Sequence, residues 1–500
     1  MSLEDDLLHQ KMDRLREIEA LGFAPYGQRF DFTHTIPEIV SDYKSKTAEE
    51  LDGARVTVRI AGRIQTVRRM GKAGFAHLQQ GGERLQIYVK KDAVSEREFA
   101  LYQLLDIGDL VGVDGYLFRT RTGELSVHAE KLYFLSKTLL AMPEKWHGLE
   151  DVETRYRQRY LDLIANPEVQ RIFWTRAKII SSFRRQLEAR GFMEVETPMM
   201  QPLYGGATAR PFVTHHNTLD IDLYLRIAPE LYLKRLIVGG LDRVYEINRN
   251  FRNEGVSTQH NPEFTMLEFY QAYTDYRGLM DLSVELLSQT AIDATGSPVI
   301  EYQGKKLDFS NIPRFSMREA LIEFWEGDGK PTLDQLKDPE YLKLHTNQDS
   351  AGHALVELFE RVVEKRLIQP VIVYDYPVEV SPLSKNKPDE PEMVERFEIY
   401  AGGMEIGNAY TELNDPREQR KRFEMQLAMR EKGDEEAHRM DEDYLRAMCY
   451  GMPPTGGEGV GIDRLTMLLT NSKSIRDVIL FPLLRPEGEI GLAQRLRERE

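Results

Sequence analysis

The sequence predicts an α+β protein in which a small closed β-barrel precedes a larger domain built on an antiparallel sheet with flanking helices. Residues 55–135 contain five short segments of alternating apolar and polar residues, separated by glycines, and this is the pattern of an OB-fold barrel. Beyond the following long helix, strands succeed one another with few helices between them, which favours antiparallel pairing because parallel pairs need crossover connections. A more helical stretch around 274–369 predicts an insertion.

The first thirty residues place apolar side chains at helical spacing, which predicts an amphipathic helix packed on the barrel. These side chains are Leu7, Leu8, Met12, Leu15, Ile18 and Leu21. We therefore predict an N-terminal domain over 1–145. Proline, glycine and dense charge without a regular period predict a hinge over 146–165, followed by a second domain over 166–500.

Composition limits the classes of protein that fit this chain. Its 500 residues, 41% hydrophobic, suffice for two or three domain cores. No stretch approaches the roughly 20 apolar residues of a membrane helix, and the N-terminus is too charged for a secretory signal, so we expect a cytoplasmic protein. The single cysteine, Cys449, excludes an internal disulfide and is predicted to be an ordinary buried side chain.

Charge is unevenly distributed along the chain. The net charge of −15 argues against indiscriminate coating of nucleic acid, yet residues 54–72 carry six cations and no acid. This segment is either a restricted contact surface for a polyanion or a strand edge guarded by cations. In the barrel, Phe75 and Tyr88 are available for base stacking and Gln86 for base reading, although packing on the barrel is an alternative for each.

Three segments carry the chemistry. The first, GFMEVETPMM, is a strand that ends at Pro198, and the second, FRNEGVSTQHNPEFTMLEFY, reads as strand, polar loop and strand. The third, GEGVGIDRLTMLL, reads as a glycine-rich turn followed by a helix bearing Arg464. In the second segment Arg252 and Glu254 lie two residues apart and share one face. The side chains that share one parity on its second strand are Phe264, Glu268 and Tyr270. The chain lacks the P-loop pattern and the dinucleotide fingerprint.

These segments resemble motifs 1, 2 and 3 of the class II aminoacyl-tRNA synthetases. FRNEG, HNPEFTMLE, GGMEIGNAYTELND and GVGIDRL resemble the lysyl-tRNA synthetase branch, and the resemblance covers nearly the whole chain, including the barrel and the RYRQRYLDL hinge. It implies a cytoplasmic homodimer with motif 1, and hence Pro198, at the subunit contact. It also implies an enzyme that uses ATP and Mg²⁺ to convert L-lysine to lysyl-adenylate and then transfers lysine to tRNA(Lys).

The resemblance further implies roles for individual residues. Arg252 would hold the α-phosphate and the lysine carboxylate, and Arg464 would contact the γ-phosphate. Other residues that match the ATP pocket are Glu254, His260, Asn261, Phe264 and Glu398, with Phe264 stacking on adenine. Glu398 and Glu405 match the magnesium ligands. Two glutamates beside ATP suit this ion, which prefers few carboxylates together with phosphate oxygens and water. Phe75 and Gln86 match the anticodon readers.

The residues that match the amino-acid pocket are Arg252 together with Gly206, Glu230, Glu268, Tyr270, Asn408, Tyr410 and Glu412. Apart from Arg252, three are glutamates and none is basic, which suits an ammonium side chain that must not be buried unpaired. The resemblance assigns Gly206 and Glu230 to the α-amino group and Asn408 to the carboxylate side. It assigns Glu268, Tyr270 and Glu412 to the ε-ammonium. Tyr410 departs from the phenylalanine expected in the family, and this affects the packing around the stem of lysine.

Strand parity supports part of this assignment. Asn408, Tyr410 and Glu412 alternate onto one face of a strand, whereas Glu405 has the opposite parity. Placing Glu405 beside the others requires a bend or bulge, which we predict at Gly407.

Three other functions compete with this one. An aspartyl- or asparaginyl-tRNA synthetase shares the architecture, but its pocket would need a cation opposite the substrate side chain. A ligase that attaches lysine to a protein would lack the N-terminal barrel. A catalytically silent RNA-binding homologue would be expected to have lost Arg252, Glu405 and Arg464, which are all present.

Overall fold

The computed structural model describes residues 3–142, 149–326, 328–431 and 439–486. The chain divides into two compact units, Met1–Arg171 and Ile172–Glu500. Residues 146–148 of the predicted hinge lie outside the described residues. The rest of that segment contains two short helices of the first unit, α5 (Val152–Arg157) and α6 (Arg159–Ala165).

The first unit contains the predicted five-stranded closed barrel, in the order β1-β2-β3-β5-β4. Its strands are β1 (Thr57–Met70), β2 (Ala73–Gln80), β3 (Glu83–Lys90), β4 (Leu110–Arg119) and β5 (Leu125–Ser136). Side chains alternate between the two faces of each strand. Ile60, Ile87 and Val127 are therefore fully buried inside the barrel, and the residues next to them along each strand face outwards. The accompanying helices are α1 (Leu3–Ala20), α2 (Ile36–Tyr43), α3 (Ala48–Ala54) and α4 (Glu96–Leu104). The predicted N-terminal helix is confirmed as α1, with Leu8 and Ile18 buried.

The second unit is built on an eight-stranded sheet in the order β14-β15-β16-β17-β18-β11-β10-β6. The strands, in chain order, are β6 (Met193–Glu194), β10 (Arg243–Phe251), β11 (Glu263–Ala272), β14 (Arg314–Ser316), β15 (Val371–Pro377), β16 (Met393–Ala401), β17 (Met404–Thr411) and β18 (Thr455–Gly461). A three-stranded sheet is formed by β7 (Met200–Gln201), β8 (Val213–His216) and β9 (Ile221–Leu225), and a hairpin by β12 (Val299–Tyr302) and β13 (Lys305–Asp308).

The predicted antiparallel sheet is confirmed over its six central strands, but the pair at each edge is parallel. The β10–β6 and β14–β15 pairs are parallel, whereas every pair between them is antiparallel. Both parallel pairs have the crossover that such pairing needs, because each connection contains helices. These are α8 (Glu230–Val238) in the first connection, and α10 (Met317–Glu323), α11 (Leu333–Lys337), α12 (Pro339–His345) and α13 (Ala351–Val362) in the second.

One face of the sheet is covered by helices. On the other face α8 packs beside β10 and β11, and the remainder is left for a site. The remaining helices are α7 (Pro167–Glu188), α9 (Tyr276–Thr295), α14 (Pro416–Glu431), α15 (Glu442–Cys449), α16 (Ile462–Leu469) and α17 (Ile475–Val478), with short 3₁₀ turns at Glu364–Arg366 and Val378–Val380. Phe183 of α7, Leu286 of α9 and Leu465 of α16 belong to one buried cluster with Phe269 of β11. The main core of this unit therefore lies between the sheet and α7, α9 and α16, whereas α14 and α15 pack with α8 in a separate cluster.

The segment predicted as a glycine-rich turn is instead β18, a central strand hydrogen-bonded to β11 on one side and β17 on the other. Glycine weakens an isolated strand, but here the backbone is held by two neighbours. Glu458 and Val460 are buried, and the glycines that alternate with them carry no side chain onto the opposite face. The periodicity of this strand is therefore invisible as a hydrophobic pattern.

The predicted burial of Cys449 is also wrong, since its side chain is exposed. Cys449 is the last residue of α15, whose buried side comprises Tyr444, Leu445 and Met448. No helix in the described part of the chain is long and apolar enough to cross a membrane.

Candidate active site

A cleft of about 360 Å³ opens on the face of the large sheet that the glycines of β18 leave clear. This volume lies within the range of about 300 to 1,000 Å³ that is usual for small-molecule sites. Most residues selected from the sequence line it, namely Gly206, Glu230, Arg252, Glu254, His260, Asn261, Phe264, Glu268, Tyr270, Glu405, Asn408, Tyr410 and Arg464. Glu398 and Glu412 are not among the lining residues. Glu398 is bonded to Arg396, which borders the cleft, and Glu412 is linked through Lys234 to Glu230, which also borders it.

One end of the cleft, which we call the cationic end, lies between Arg252 and Arg464. Arg252 follows β10, and its guanidinium lies 5.1 Å from the ring centre of Phe264. Arg464, on α16, donates from Nη1 to the backbone oxygen of Glu405 at 2.7 Å and from Nη2 to Nε2 of His260 at 3.1 Å. Two guanidinium groups and an aromatic ring therefore border the same space, and this arrangement suits a purine and its phosphates.

The cationic end has unused hydrogen-bonding capacity. Burial and the nearby Arg464 lower the pKa of His260, so the imidazole is neutral at pH 7 and can accept the Arg464 hydrogen bond. Burial also lowers the pKa of Arg252, against the opposing effect of Glu254. Within the described residues, the buried atoms Nε of Arg252 and Oδ1 of Asn261 have no hydrogen-bond partner. Buried polar atoms are normally paired, so these two are available to a ligand.

Glu398 and Glu405 lie on adjacent strands, β16 and β17. Ile399 pairs with Gly407 and Tyr400 with Glu405, so Ile406 is the extra residue of a β-bulge. This confirms the predicted bulge, immediately before Gly407. The bulge turns Glu405 towards Glu398, and burial followed by the Glu398 carboxylate raises the pKa of Glu405.

The other end of the cleft is bordered by the carboxylates of Glu230 and Glu268. Together with that of Glu412, which is linked to Glu230 through Lys234, they form what we call the carboxylate wall. All three are at least 95% buried, with exposures of 4%, 5% and 1%. Tyr410 donates its hydroxyl to Oε1 of Glu230 at 2.7 Å, and Tyr270 donates to Oε2 of Glu268 at 3.3 Å. Burial, followed by the carboxylates of Glu230 and of neighbouring residues, raises the pKa of Glu268 to about 8.

The carboxylate wall also contains a lysine, which was not among the residues matched to the pocket from the sequence. Lys234 lies one helical turn after Glu230 on α8, and its fully buried Nζ donates to Oε1 of Glu230 at 2.5 Å and contacts the carboxylate of Glu412. Burial alone would lower the pKa of Lys234, but Glu230 and Glu412 outweigh it and raise that pKa. The wall therefore combines three carboxylates with one ammonium group and keeps an excess of acidic groups.

Glycines make room for this wall. Gly457 of β18 lies between Tyr270 of β11 and Tyr410 of β17 in the ladder. A Cβ atom at Gly457 would lie 2.2 Å from Oε1 of Glu412 and 2.4 Å from Cε1 of Tyr270. Gly206 has a φ of 88°, and a Cβ there would lie 2.8 Å from Cβ of Glu230. Both positions therefore need glycine, for space at the first and for space and backbone conformation at the second.

Sequence reasoning missed one prominent residue of the cleft, Arg396 on β16. It lies two residues before Glu398, so strand parity alone would have placed the two side chains on the same face. It also missed the loop over 380–384, which lines the cleft and has no distinctive chemistry in its sequence.

In the barrel, the predicted readers Phe75 and Gln86 lie on the outer face of adjacent strands. Phe75 pairs with Tyr88, with ring centres 4.8 Å apart, and is opposite Arg68 on β1. Gln86 is buried, donates to Oε2 of Glu124 at 2.8 Å and accepts from Ser126 at 2.9 Å. Phe75 thus offers a partly open ring beside a cation, whereas Gln86 is already hydrogen-bonded within the barrel.

Pro198 lies outside the cleft and is exposed. It precedes the exposed side chains of Met199 and Met200, so this segment presents an apolar surface.

The barrel, the glycine-floored sheet and the cleft between two arginines define the class of protein. A family model described as tRNA synthetases class II (D, K and N) matches residues 151–485. A second model, described as an OB-fold nucleic acid binding domain, matches residues 58–135.

Relatives with high identity extend over nearly the whole chain. A lysine–tRNA ligase of Pelotomaculum thermopropionicum is 54% identical, with 96% of this chain and 95% of that protein covered. Those of Moorella thermoacetica and Bacillus subtilis are 52% and 51% identical, covering 98% and 96% of this chain and 100% and 97% of those proteins. The chain therefore belongs to the lysine–tRNA ligase family of the class II tRNA synthetases and is an aminoacyl-tRNA ligase.

Proposed function

We propose that this enzyme activates L-lysine with ATP, giving lysyl-adenylate and pyrophosphate, and then transfers the lysyl group to the 3′ end of tRNA(Lys). The observation that supports this most strongly is the carboxylate wall at the end of the cleft opposite the two arginines. A buried ammonium group needs anionic partners, and the wall supplies them. An aspartate side chain would need a free cation there, but Lys234 is already paired with Glu230 and Glu412.

ATP occupies the cationic end in this proposal. Phe264 stacks on the adenine ring, Arg252 contacts the α-phosphate and Arg464 the γ-phosphate. The unpartnered Nε of Arg252 and Oδ1 of Asn261 supply hydrogen bonds to the nucleotide. Glu254 and His260 line the same end and complete the pocket.

Glu398 and Glu405 are proposed to hold Mg²⁺. No cluster of three or more metal-binding side chains occurs in the described part of the chain, so an ion at this place would rely on two carboxylates, phosphate oxygens and water. That donor set is the usual one for magnesium. Glu405 fits because the nearby Glu398 carboxylate contributes to raising its pKa, and a cation would relieve this repulsion. When bound, the ion neutralises charge on the phosphates.

Lysine is proposed to lie across β11, β18 and β17 with its side chain towards the wall. Glu230 and the close approach at Gly206 receive the α-amino group, and Asn408 lies on the carboxylate side. Glu268, Tyr270 and Glu412 receive the ε-ammonium. Tyr410 packs on the aliphatic stem and holds Glu230 through its hydroxyl.

The reaction needs placement more than proton transfer. A lysine carboxylate oxygen forms a bond to the α-phosphorus of ATP while the bond from that phosphorus to the bridging oxygen breaks, and pyrophosphate leaves. Because the carboxylate is already ionised at pH 7, the barrier lies in alignment and in repulsion between anions. Arg252 and Arg464 reduce that repulsion from opposite sides. In the second step a ribose hydroxyl oxygen of the tRNA bonds to the lysyl carbonyl carbon while the bond from that carbon to the phosphate oxygen of AMP breaks. AMP leaves, and the hydroxyl proton passes to the departing phosphate or to water.

The barrel is proposed to bind the anticodon, with Phe75 stacking on a base and Arg68 beside it. Gln86 reads a base only after exchanging its hydrogen bond to Glu124 for one to RNA. Stacking on an aromatic ring contributes about 1 to 3 kcal/mol per base. Because tRNA and ATP are the co-substrates, we place the enzyme in the cytoplasm.

A second copy of the chain is proposed to cover the segment around Pro198. Several apolar side chains of residues 193–221 are 41–63% exposed: Met193, Met199, Met200, Val213, Leu219 and Ile221. Exposed apolar side chains gathered on one segment favour a protein interface. A homodimer through motif 1 accounts for them.

The test combines ATP–pyrophosphate exchange, run with each of the protein amino acids, with charging of unfractionated tRNA. The proposal expects exchange with lysine and charging of the lysine acceptors alone. Exchange with aspartate or asparagine would overturn the substrate assignment. Exchange with lysine but no charging would overturn the tRNA step and favour attachment of lysine to a protein, and absence of any exchange would favour a silent homologue.

A further inference from the structure

Arg396 borders the cleft and donates four hydrogen bonds, and the proposed function assigns it no role. Its side chain is 14% exposed and lies on β16 with its guanidinium 4.7 Å from the ring centre of Tyr376. Nε donates to Oδ1 of Asn408 at 3.0 Å, and Nη2 donates to Oε1 of Glu398 at 2.5 Å. Nη1 donates to the backbone oxygen of Val380 and to the hydroxyl of Ser381, both at 2.9 Å.

Its two side-chain acceptors on the sheet belong to different parts of the proposed site. Glu398 pairs with Asn408 across β16 and β17, so the residues are direct neighbours in the ladder. Under the proposed function, Asn408 faces the carboxylate of lysine and Glu398 faces the metal that accompanies ATP. These are the two partners that must meet for adenylate formation.

We infer that Arg396 is a positioning residue that joins the lysine-carboxylate site to the metal site. This inference rests on the proposed function and assigns Arg396 no contact with the reacting atoms. A guanidinium is a planar fork with donors at fixed angles, so one such group sets both acceptors relative to each other. A lysine side chain can bond two acceptors through its single nitrogen, but its rotatable donors do not fix the angle between them.

The contact with Asn408 also determines the orientation of its amide. Because Nε of Arg396 donates to Oδ1, the NH₂ group of Asn408 is directed away from the arginine. Asn408 borders the cleft, so that NH₂ group is free to donate to a substrate carboxylate. Without Arg396 the amide can turn over and present its oxygen to the carboxylate, which repels it.

The hydrogen bond from Arg396 also restricts the rotation of the Glu398 carboxylate. Oε1 accepts from Arg396, and Oε2 accepts from Tyr376 at 3.1 Å and from Tyr400 at 2.5 Å. Three donors thus hold one carboxylate in a single orientation. Removal of Arg396 leaves two donors, both on the same oxygen, and the carboxylate can rotate.

The test compares Arg396→Met with Arg422→Met. Arg422 is a matched control because its buried guanidinium donates to the backbone oxygens of Ser381 and Ser384, and so holds the same loop. It contacts neither Asn408 nor Glu398 in the interactions that the structure gives it. Three quantities are measured on the full chain: the Kd for lysine by calorimetry without ATP or metal, the Mg²⁺ half-saturation in ATP–pyrophosphate exchange, and the thermal midpoint.

For Arg396→Met we expect the lysine Kd to rise about tenfold or more, which is the effect expected from losing a charge-assisted hydrogen bond. We also expect the Mg²⁺ concentration at half-saturation to rise several-fold. For Arg422→Met we expect a lower thermal midpoint with both ligand constants within about twofold to threefold of wild type. Equal effects of the two variants on both ligands would overturn the inference and reduce Arg396 to a loop support.

Two further variants separate geometry from charge. Arg396→Lys is expected to restore Mg²⁺ half-saturation in part, because a cation remains near Glu398, but not the lysine Kd. If Arg396→Lys restores both the Mg²⁺ half-saturation and the lysine Kd to wild-type values, the planar geometry of the guanidinium has no role. Asn408→Ala is expected to raise the lysine Kd in the wild-type background and to add little to Arg396→Met, whereas additive losses contradict coupling through Asn408. If wild-type protein binds no lysine, the proposed function itself fails, and this outcome is distinct from failure of the inference.

Discussion

The two ends of the cleft carry opposite charge and differ in how far their charged side chains are buried and hydrogen-bonded. At the cationic end, Arg252 and Arg464 are only partly buried, and some polar atoms have no partner among the described residues. At the carboxylate wall, Glu230, Glu268 and Glu412 are buried and bonded to tyrosines or to Lys234. The first end therefore keeps donors and acceptors unpaired, whereas the carboxylates of the second end are buried and bonded to neighbouring side chains. The difference suggests that the first end supplies catalysis and the second supplies discrimination.

The first prediction tests the division at the cationic end. Replacing Arg252 by Gln removes the cation proposed for the α-phosphate and should lower kcat/KM in ATP–pyrophosphate exchange by at least about 10²-fold to 10³-fold, the usual loss for one preorganised group. The control is Arg249→Gln, on β10 three residues before Arg252 and in an exposed pair with Glu263, and its rate should stay within about twofold of wild type. Comparable rates for the two variants would show that the cationic end is not where catalysis is supplied.

The second prediction concerns a substitution that reduces the space at the carboxylate wall without changing its charge. Gly457→Ala places a methyl group against Glu412 and Tyr270, so the KM for lysine should rise by about 10² while the KM for ATP changes little. The control is Gly461→Ala on the same strand, where the nearest atom to the new Cβ is 3.7 Å away. Steady-state exchange with each substrate varied in turn measures both constants. A parallel rise in the two KM values would contradict a separate lysine end.

The third prediction concerns pH. Glu268 has its pKa raised to about 8, so much of it is protonated at pH 7 before lysine arrives. An ammonium ligand favours the ionised carboxylate, so binding releases a proton and affinity must rise with pH below 8. The Kd for lysine should fall by up to about tenfold per pH unit between pH 6 and 8 and flatten above it. Calorimetry in buffers of different ionisation enthalpy measures the proton release directly.

Glu268→Gln is the matched variant for this pH dependence, because it keeps the shape and removes the titration. It should weaken lysine binding at pH 8 and flatten the dependence below it. A wild-type Kd that stays constant from pH 6 to 8 is the contradictory result.

The smallest expected effect is at Tyr410. Tyr410→Phe removes the 2.7 Å hydrogen bond to Glu230 but keeps the ring, so the KM for lysine should change only about threefold to tenfold, the value of one such bond. Tyr450→Phe, at a side chain that is 84% exposed, should have no effect. If Tyr410→Phe raises the KM for lysine more than Gly457→Ala does, then the Tyr410 hydroxyl, and not the space beside Gly457, determines lysine binding.

The sequence predicted the cationic end better than the carboxylate wall because the two are encoded differently. Arg252, Asn261 and Phe264 lie within one short motif, and their neighbourhood follows from a strand, a loop and a strand. The barrel and the bulge beside Gly407 also follow from local alternation, and both are confirmed.

The missed features depend on contacts between distant parts of the chain. Lys234 joins the wall only because α8 brings it to Glu412, and nothing in PELYLKRL indicates that partner. β18 has glycines where a strand normally shows apolar side chains, because its clear face is the floor of the cleft. The strand pairs at the two edges are parallel because helices in their connections carry the chain back across the sheet. The pattern of strands in the sequence did not show that these connections are crossovers.

The most direct test of the carboxylate wall is ATP–pyrophosphate exchange with lysine, ornithine and norleucine. Norleucine keeps the aliphatic stem of lysine and lacks the ammonium group, so it leaves buried carboxylates unpaired and should lose about 10⁴ in kcat/KM. Ornithine should fall between the two because its ammonium group reaches the wall incompletely. Ornithine or norleucine supporting exchange as well as lysine would contradict the account.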